Sequence, residues 1–317
     1  MTEEKEENEY LKNDFRESNL TDTKTLSYKC KLIMVIGISL LVVAIITAIV
    51  IILLLKKNED DNEKQNKIEG EEEEVEILDP IIIEPSSEYI YCIIWLHGLD
   101  NNPENYQNLF KFEVPFAKKE NTKIILMRAP YQIMSFTQTN LTSWFDIFCI
   151  SLDNYDCYNI TDASKSRRML EKIINQEAKK LRGNYQHIFV GGHSQGACIS
   201  LYTAYSFKEL LGGVLACSGI LFKETEIVGD KTKLKVFMAH GFEDRAIPFS
   251  FHNDTIKRIV NFEGVKKYYY ENHGHLISDY EKNDMGGFLN DSMADYNLDN
   301  ILLCSLVKII LIFFIYY

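Results

Sequence analysis

The chain has 317 residues, of which 46% are hydrophobic, enough for one large domain with appended segments. Its formal net charge of −12 and its lack of a basic patch exclude nucleic-acid binding by phosphate neutralisation. The seven cysteines include no C-x-x-C pair, so neither a zinc site nor a thioredoxin-type redox site is expected. No metal ion and no cofactor is predicted.

The N-terminal part of the chain divides into three segments of different composition. Residues 1–31 are polar and charged without an apolar period, which predicts a disordered tail. Residues 32–55 contain no charged side chain and no polar face, and they exceed the length of about 20 residues that a bilayer-spanning helix requires. We predict a transmembrane helix there, followed by an acidic linker at residues 56–75 that extends by self-repulsion.

Charges and glycosylation sequons bear on the orientation of the predicted span. The numbers of lysines on the two sides of the span are nearly equal, so the positive-inside rule does not determine its orientation. A short tail before a signal anchor favours a cytosolic N-terminus, and N-glycosylation sequons agree with a lumenal or extracellular domain. The sequons begin at Asn140, Asn159, Asn253 and Asn290. We therefore expect a single-pass membrane protein whose main domain is lumenal or extracellular rather than cytosolic.

Two cysteines and the C-terminal segment leave alternatives open. Cys149 and Cys157 lie close together in a predicted loop, where two free thiols are the simpler interpretation. A disulfide is expected only for a lumenal or extracellular domain. Residues 294–317 end in a hydrophobic run that Lys308 interrupts near its middle, which is costly within a bilayer. A core helix, a second membrane segment and a lipid-anchor signal all fit this tail, and no role is assigned to it.

Residues 76–293 alternate between strand-like and helix-like patterns. Strands are predicted at residues 77–83, 89–96, 123–128, 187–191, 213–217, 234–239 and 266–270. Helices are predicted at residues 104–117, 163–181, 194–207, 251–260 and 278–289. Alternating β and α units are typical of a mostly parallel sheet with helices on both faces. The predicted fold class of this domain is therefore α/β.

Ser194 stands at the centre of Gly192-His193-Ser194-Gln195-Gly196, between a predicted strand and a predicted helix. This pattern is typical of the nucleophile elbow of α/β hydrolases, where small flanking residues permit a sharp turn. The helix N-terminus also favours negative charge that develops beside the serine. A glycine-rich turn with a capping serine would give the same five residues, so the assignment depends on partners farther along the chain.

Carboxylates and histidines follow the two strands that are predicted after the elbow, in the order that an α/β hydrolase requires. Glu243 and Asp244 follow the first of these strands. His273 and His275 follow the second. A serine hydroxyl needs a histidine base, and that base needs an orienting carboxylate. The pattern leaves open which member of each pair serves, and His240 is interpreted as shaping the loop before the acid.

The oxyanion of a tetrahedral intermediate needs backbone N–H donors near the nucleophile. In this fold one donor is the N–H of the residue after the serine, here Gln195. The other comes from the loop after an earlier central strand, and Leu99 in His97-Gly98-Leu99 fits that position. The alternative for His97-Gly98 is an ordinary turn at the end of a strand.

Taken together, these residues resemble the acyl-protein thioesterase and lysophospholipase family, within the phospholipase/carboxylesterase group of α/β hydrolases. The resemblance covers about residues 77–293 and rests on six short matches. They are Leu96-His97-Gly98-Leu99, Ser143-Trp144-Phe145-Asp146, residues 191–196, residues 200–204, His240-Gly241 with Asp244 and Ile247-Pro248, and Gly274-His275.

The resemblance implies Ser194 as nucleophile, Asp244 as orienting acid and His275 as base. It also implies that the N–H groups of Leu99 and Gln195 hold the oxyanion. An acyl-binding wall is implied in the segment at and before Trp144. Its apolar members are Ile133, Met134, Phe136, Leu141 and Trp144.

Three features depart from the family pattern. The predicted span is unusual, since members of the family are usually soluble and cytosolic. The loop after the first catalytic strand reads Leu99-Asp100-Asn101 where Leu-Gly-Asp is usual, and Ala197 replaces a glycine. The change at Asp100-Asn101 leaves the geometry of the oxyanion loop open, whereas Ala197 is a mild change.

The sequence therefore predicts a membrane-anchored serine hydrolase that cleaves acyl thioesters or esters through an acyl-enzyme. Its substrate is expected to be an acylated protein or a lipid ester. A general carboxylesterase or lysophospholipase is the alternative within enzymes. A catalytically silent binding module on a hydrolase fold is the alternative of another class, against which the complete Ser194, Asp244 and His275 set argues.

Overall fold

The computed structural model describes residues 76–149, 157–259 and 263–293. The predicted tail, span, linker and C-terminal segment lie outside these residues. None of the helices within the described ranges has the length and hydropathy to cross a membrane.

Nine strands form two sheets in the described residues. They are β1 (Ile81–Ile83), β2 (Tyr91–Leu96), β3 (Thr122–Met127), β4 (Tyr131–Met134), β5 (Thr139–Thr142), β6 (Ile188–His193), β7 (Gly213–Cys217), β8 (Val236–Gly241) and β9 (Val265–Tyr270). Seven of them make one sheet in the order β1-β3-β2-β6-β7-β8-β9. All neighbours in it are parallel except β1, which runs antiparallel to β3. The other sheet is the antiparallel hairpin β4–β5.

Four helices accompany the main sheet in the described part of the chain. They are α1 (Ile160–Lys180), α2 (Gln195–Ser206), α3 (Phe249–Ile259) and α4 (residues 279–293). Asn159 caps α1, since its side chain accepts hydrogen bonds from the N–H groups of Thr161 and Asp162.

The core lies on both faces of the sheet, as the alternation along β2 shows. Cys92, Ile94 and Leu96 point into one apolar cluster, which α1, α2 and α3 cover. Tyr91, Ile93 and Trp95 point into the other, which α4 and an irregular helical segment near residues 103–113 cover. Because both faces of a parallel sheet are buried, its central strands are apolar throughout rather than alternating. The prediction of an α/β fold with helices on both faces is confirmed.

Two elements differ from the sequence prediction. In place of a regular helix at residues 104–117, a 3-10 turn at Pro103–Tyr106 leads into a π-helical turn at Leu109–Glu113. Pro115 prevents a longer helix, because a proline disfavours the helical conformation of the residue before it. The hairpin β4–β5 was not predicted, because each strand is only four residues long and carries many polar side chains.

The interpretation of Cys149 and Cys157 as two free thiols is wrong, since a disulfide joins them. An antiparallel bridge between Ile147 and Tyr158 brings the two cysteines together. The N–H of Phe148 also donates to Cys157 O at 2.7 Å. This backbone pairing leaves no periodic pattern in the sequence, so spacing alone could not reveal it.

Candidate active site

Ser194 occupies the sharp turn between β6 and α2. Its φ of 57° lies in the left-handed region, which costs a non-glycine residue about 1–3 kcal/mol and is typical of functional sites. A side chain on Gly192 or Gly196 would overlap the carbonyl oxygen of Leu96, so the turn tolerates only glycine at both positions. The predicted strand–turn–helix context of Ser194 is therefore present, with the serine at the N-terminus of α2.

Asp244 lies in the loop after β8, with its side chain fully buried. Its Oδ1 accepts hydrogen bonds from the N–H groups of Ala246 and Ile247, at 2.9 and 2.8 Å. Burial raises the pKa of this carboxyl, but the hydrogen bond and charge of His275 outweigh it, so the pKa lies below its usual value. Asp244 is therefore held as an anion, whereas the neighbouring Glu243 is exposed.

His275 follows β9, and its Nδ1 lies 2.7 Å from Asp244 Oδ2. Because the carboxylate can only accept, Nδ1 carries the proton and Nε2 is left as the acceptor. The imidazole is 22% exposed and lines the same cavity as Ser194. The structure thus brings Ser194, Asp244 and His275 together.

Two other histidines nearby, His273 and His240, donate hydrogen bonds to backbone carbonyls. His273 donates from Nε2 to Leu276 O at 2.7 Å, within its own loop. His240 donates from Nε2 to Ile247 O at 2.8 Å, which closes the loop that holds Asp244. This contact agrees with the interpretation of His240 as a loop-shaping residue.

The amides of Leu99 and Gln195 both border the cavity. No acceptor in the described ranges is hydrogen-bonded to either N–H, so both are free to bind an oxyanion. His97 orients the N–H of Leu99, because the Nδ1–H of His97 donates to Gly98 O at 2.7 Å. Since C=O and N–H of a trans peptide point in opposite directions, this bond turns the N–H of Leu99 away from His97.

Burial keeps two histidines at the carboxyl ends of β2 and β6 uncharged near neutral pH. Burial lowers the pKa of His97, whose Nε2 accepts from Ala129 N–H at 3.1 Å. Burial, with a smaller contribution from His275, lowers the pKa of His193 to about 3. The His193 and His275 rings lie 4.9 Å apart, so a neutral His193 allows His275 to take up a proton without a like charge beside it.

A cavity of about 570 Å³ opens beside Ser194, within the usual range for ligand pockets. Its walls are mainly apolar and come from separate parts of the chain. They include Phe136, Phe145, Ile147, Tyr158, Cys198, Ile220, Phe222, Ile247 and Phe251. The Cys149–Cys157 disulfide also borders it. Burial raises the pKa of the Cys198 thiol to about 12, so this group is an apolar wall and not a second nucleophile.

The predicted acyl-binding wall is mostly displaced from this cavity. Of its five side chains, Phe136 is the one that lines the cavity within the described residues. Ile133 is 67% exposed on the outer face of the hairpin, whereas Met134 is fully buried, because successive strand residues face opposite sides. Leu141 is partly buried on β5, and Trp144 packs against His97 instead. The unpredicted wall residues lie on six segments that only the fold assembles.

No group of His, Cys, Asp and Glu side chains in the described residues could hold a metal ion.

The sequence did not indicate a role for the side chain of Gln195, which is buried and hydrogen-bonded to the segment at residues 143–145. The matches to the family at Ser143-Trp144-Phe145-Asp146 and at residues 191–196 were the signal that could have indicated this pairing.

Comparison with known proteins identifies the family to which the chain belongs. The family model described as Phospholipase/Carboxylesterase matches residues 78–293. The chain belongs to this family. The resemblance inferred from the sequence is thus confirmed, and membership of the phospholipase/carboxylesterase family supports an esterase or thioesterase activity.

Relatives of this chain include acyl-protein thioesterases. Acyl-protein thioesterase 1 of Mycosarcoma maydis is 26% identical over 234 residues, covering 68% of this chain and 97% of that protein. Acyl-protein thioesterase 1 homolog 1 of Dictyostelium discoideum is 30% identical over 159 residues, covering 49% and 69%. Among solved structures, Zea mays acyl-protein thioesterase 2 matches with a TM-score of 0.57 at 21% identity, covering 68% of this chain and 98% of that one. That likeness supports the α/β-hydrolase fold.

Proposed function

We propose that the protein is a membrane-anchored serine hydrolase that cleaves acyl thioesters or esters through a Ser194–His275–Asp244 triad. The observation that supports this most is the 2.7 Å hydrogen bond between His275 and Asp244, on a cavity that also contains the elbow serine. The alternative interpretation of Ser194, a glycine-rich turn with a capping serine, does not explain why a buried, anionic carboxylate pairs with a histidine after later strands.

The geometry supports the following sequence of steps. Ser194 Oγ attacks the acyl carbonyl carbon while His275 Nε2 takes its proton. Asp244 stabilises the imidazolium that forms, and the N–H groups of Leu99 and Gln195 stabilise the oxyanion. The tetrahedral intermediate collapses, and His275 returns the proton to the leaving thiol or alcohol. Water then attacks the acyl-enzyme with His275 as base, which releases the carboxylic acid and restores Ser194.

The cavity and the relatives support the proposed substrate class. An apolar cavity of about 570 Å³ accommodates an extended acyl chain more readily than a polar acid. The names of the relatives support acylated proteins as substrates. Thioesters and oxyesters share the same catalytic steps, so both belong to the proposal.

We place the catalytic domain on the lumenal or extracellular side, tethered by the span at residues 32–55. The Cys149–Cys157 disulfide supports this side, because disulfides persist in oxidising compartments. Asn140 is exposed and available for a glycan. The test is peptide N-glycosidase treatment of the full chain expressed in eukaryotic cells. A mobility shift that is reduced by Asn140→Gln is expected, and a protein without any shift would contradict the lumenal placement.

The catalytic proposal is tested with matched acyl substrates. Purified protein is assayed on thioester and oxyester forms of the same long-chain acid, in parallel with Ser194→Ala. Hydrolysis that disappears in Ser194→Ala is expected, with the ratio of the two rates giving the preferred leaving group. A wild-type protein that turns over neither substrate would favour the silent binding module, and hydrolysis of short oxyesters alone would favour the general carboxylesterase.

A further inference from the structure

One short segment, residues 142–145, contacts the side chain of Gln195 and the residues on either side of Leu99, and it is called the brace here. It follows β5 and runs through Thr142, Ser143, Trp144 and Phe145. Ser166 of α1 donates to Trp144 O, which anchors the brace on the helical layer. All four brace side chains are buried.

On one side the brace binds the side chain of Gln195. Gln195 Oε1 accepts from Trp144 N–H at 3.0 Å and lies 3.0 Å from Ser143 Oγ. Gln195 Nε2 donates to Phe145 O at 2.9 Å. Both ends of the amide are therefore used, and the residue whose backbone N–H faces the oxyanion is fixed through its own side chain.

On the other side the brace binds the loop that contains Leu99. The indole N–H of Trp144 donates to His97 O at 2.7 Å. Asp100 N–H donates to Thr142 O at 2.9 Å, and Thr142 Oγ1 donates to Asn101 O at 2.6 Å. The peptide of Leu99 is thus held from the residues before and after it.

We propose that Trp144 and the Gln195 side chain are positioning residues that set the spacing of the Leu99 and Gln195 N–H groups. This inference rests on the proposed function, because it assumes that those two groups bind the oxyanion. The two donors lie on different loops, so without the brace each loop could shift alone. Oxyanion stabilisation depends steeply on donor geometry, and displacements near 1 Å cost about 100-fold in rate.

The chain provides its own matched control, because it has two tryptophans and both are 1% exposed. The Trp144 N–H bonds to His97 O, whereas the Trp95 N–H has no hydrogen-bond partner in the described part of the chain. Trp144→Phe and Trp95→Phe remove the same atoms from buried sites. Only Trp144→Phe also removes the hydrogen bond that joins the brace to the Leu99 loop.

The experiment compares wild type, Trp144→Phe, Trp95→Phe and Gln195→Met by ester hydrolysis and by inhibition with an alkyl trifluoromethyl ketone, which forms a tetrahedral oxyanion adduct. We expect Trp144→Phe and Gln195→Met to lower kcat by about 10- to 100-fold, with KM changed less than about threefold. The inhibition constant should rise in proportion. Trp95→Phe should lower the melting temperature while its kcat stays near that of wild type.

Two outcomes would overturn the proposal that the brace sets the spacing of the two N–H groups. One is a Trp144→Phe protein whose kcat and inhibitor affinity match those of Trp95→Phe. The other is a loss that appears in KM alone, which would indicate a binding role. Gln195→Met tests the opposite end of the brace, so the proposal stays falsifiable if Trp144→Phe does not fold. Failure of the proposed function is separate, because it would appear as hydrolysis that survives Ser194→Ala.

Discussion

Replacement of Asp244 by asparagine tests the triad, because it exchanges a single carboxylate oxygen for an NH₂ group. Two backbone N–H groups, from Ala246 and Ile247, bind Oδ1 at 2.9 and 2.8 Å. The amide oxygen of an asparagine must therefore take the Oδ1 position, and its NH₂ group takes the Oδ2 position that faces His275 Nδ1. An NH₂ group can only donate, so Nδ1 would lose its proton and Nε2 would carry one. In that tautomer His275 cannot accept the proton of Ser194.

The magnitude of this effect follows from the misplaced tautomer. The corresponding change in a serine protease lowers kcat about 10⁴-fold with the geometry intact, equivalent to about 5 kcal/mol at the transition state. We expect a loss of this order for Asp244→Asn, measured as kcat for p-nitrophenyl ester hydrolysis at neutral pH. Far-UV circular dichroism and thermal melting check that the variant is folded.

The adjacent carboxylate supplies the control. Glu243 is exposed, so Glu243→Gln should retain wild-type kcat within about twofold, as surface substitutions away from the site usually do. A folded Asp244→Asn protein that loses less than tenfold would refute the reasoning. So would a Glu243→Gln protein that loses as much as Asp244→Asn.

Two further predictions concern the histidines after β9 and a buried carboxyl group on α4. His275→Ala should lower kcat at least about 1000-fold, whereas His273→Ala removes a loop hydrogen bond worth about 1 kcal/mol and should stay active; the reverse result would exchange their roles. Burial raises the pKa of Glu281 from 4.5 to about 7, so its ionisation destabilises the folded state as pH rises through this interval. Glu281→Gln should therefore gain about 2 kcal/mol relative to wild type between pH 5 and pH 8 in urea unfolding, and equal differences at both pH values would contradict this.

Local patterns made the central part of the site predictable. The turn at Ser194 needs glycines on both sides and an apolar strand before it, and all of these lie within a few residues. Asp244 and His275 were predictable because each follows a strand whose order in the fold is fixed. Choosing Asp244 over Glu243, and His275 over His273, required the family resemblance, since both members of each pair follow the same strand.

Features that depend on contacts between distant segments were not predictable in the same way. The cavity wall combines Phe136, Phe222 and Phe251 with other side chains from separate elements, and no periodicity relates them. The family resemblance implied Trp144 as part of the acyl wall, whereas the structure shows its indole N–H donating to His97 O. The hairpin β4–β5 was missed because its alternation is short and polar, so the exposure of Ile133 on this hairpin was not foreseen.

The most direct test of the account is to identify the residue that a fluorophosphonate probe modifies. Purified protein is treated with the probe, digested and analysed by tandem mass spectrometry, in parallel with Ser194→Ala and with heat-unfolded wild type. We predict a single adduct on Ser194 that requires the folded protein and is absent from Ser194→Ala. Equal labelling of wild type and Ser194→Ala, or an adduct on another residue, would contradict the assignment of Ser194 as the nucleophile.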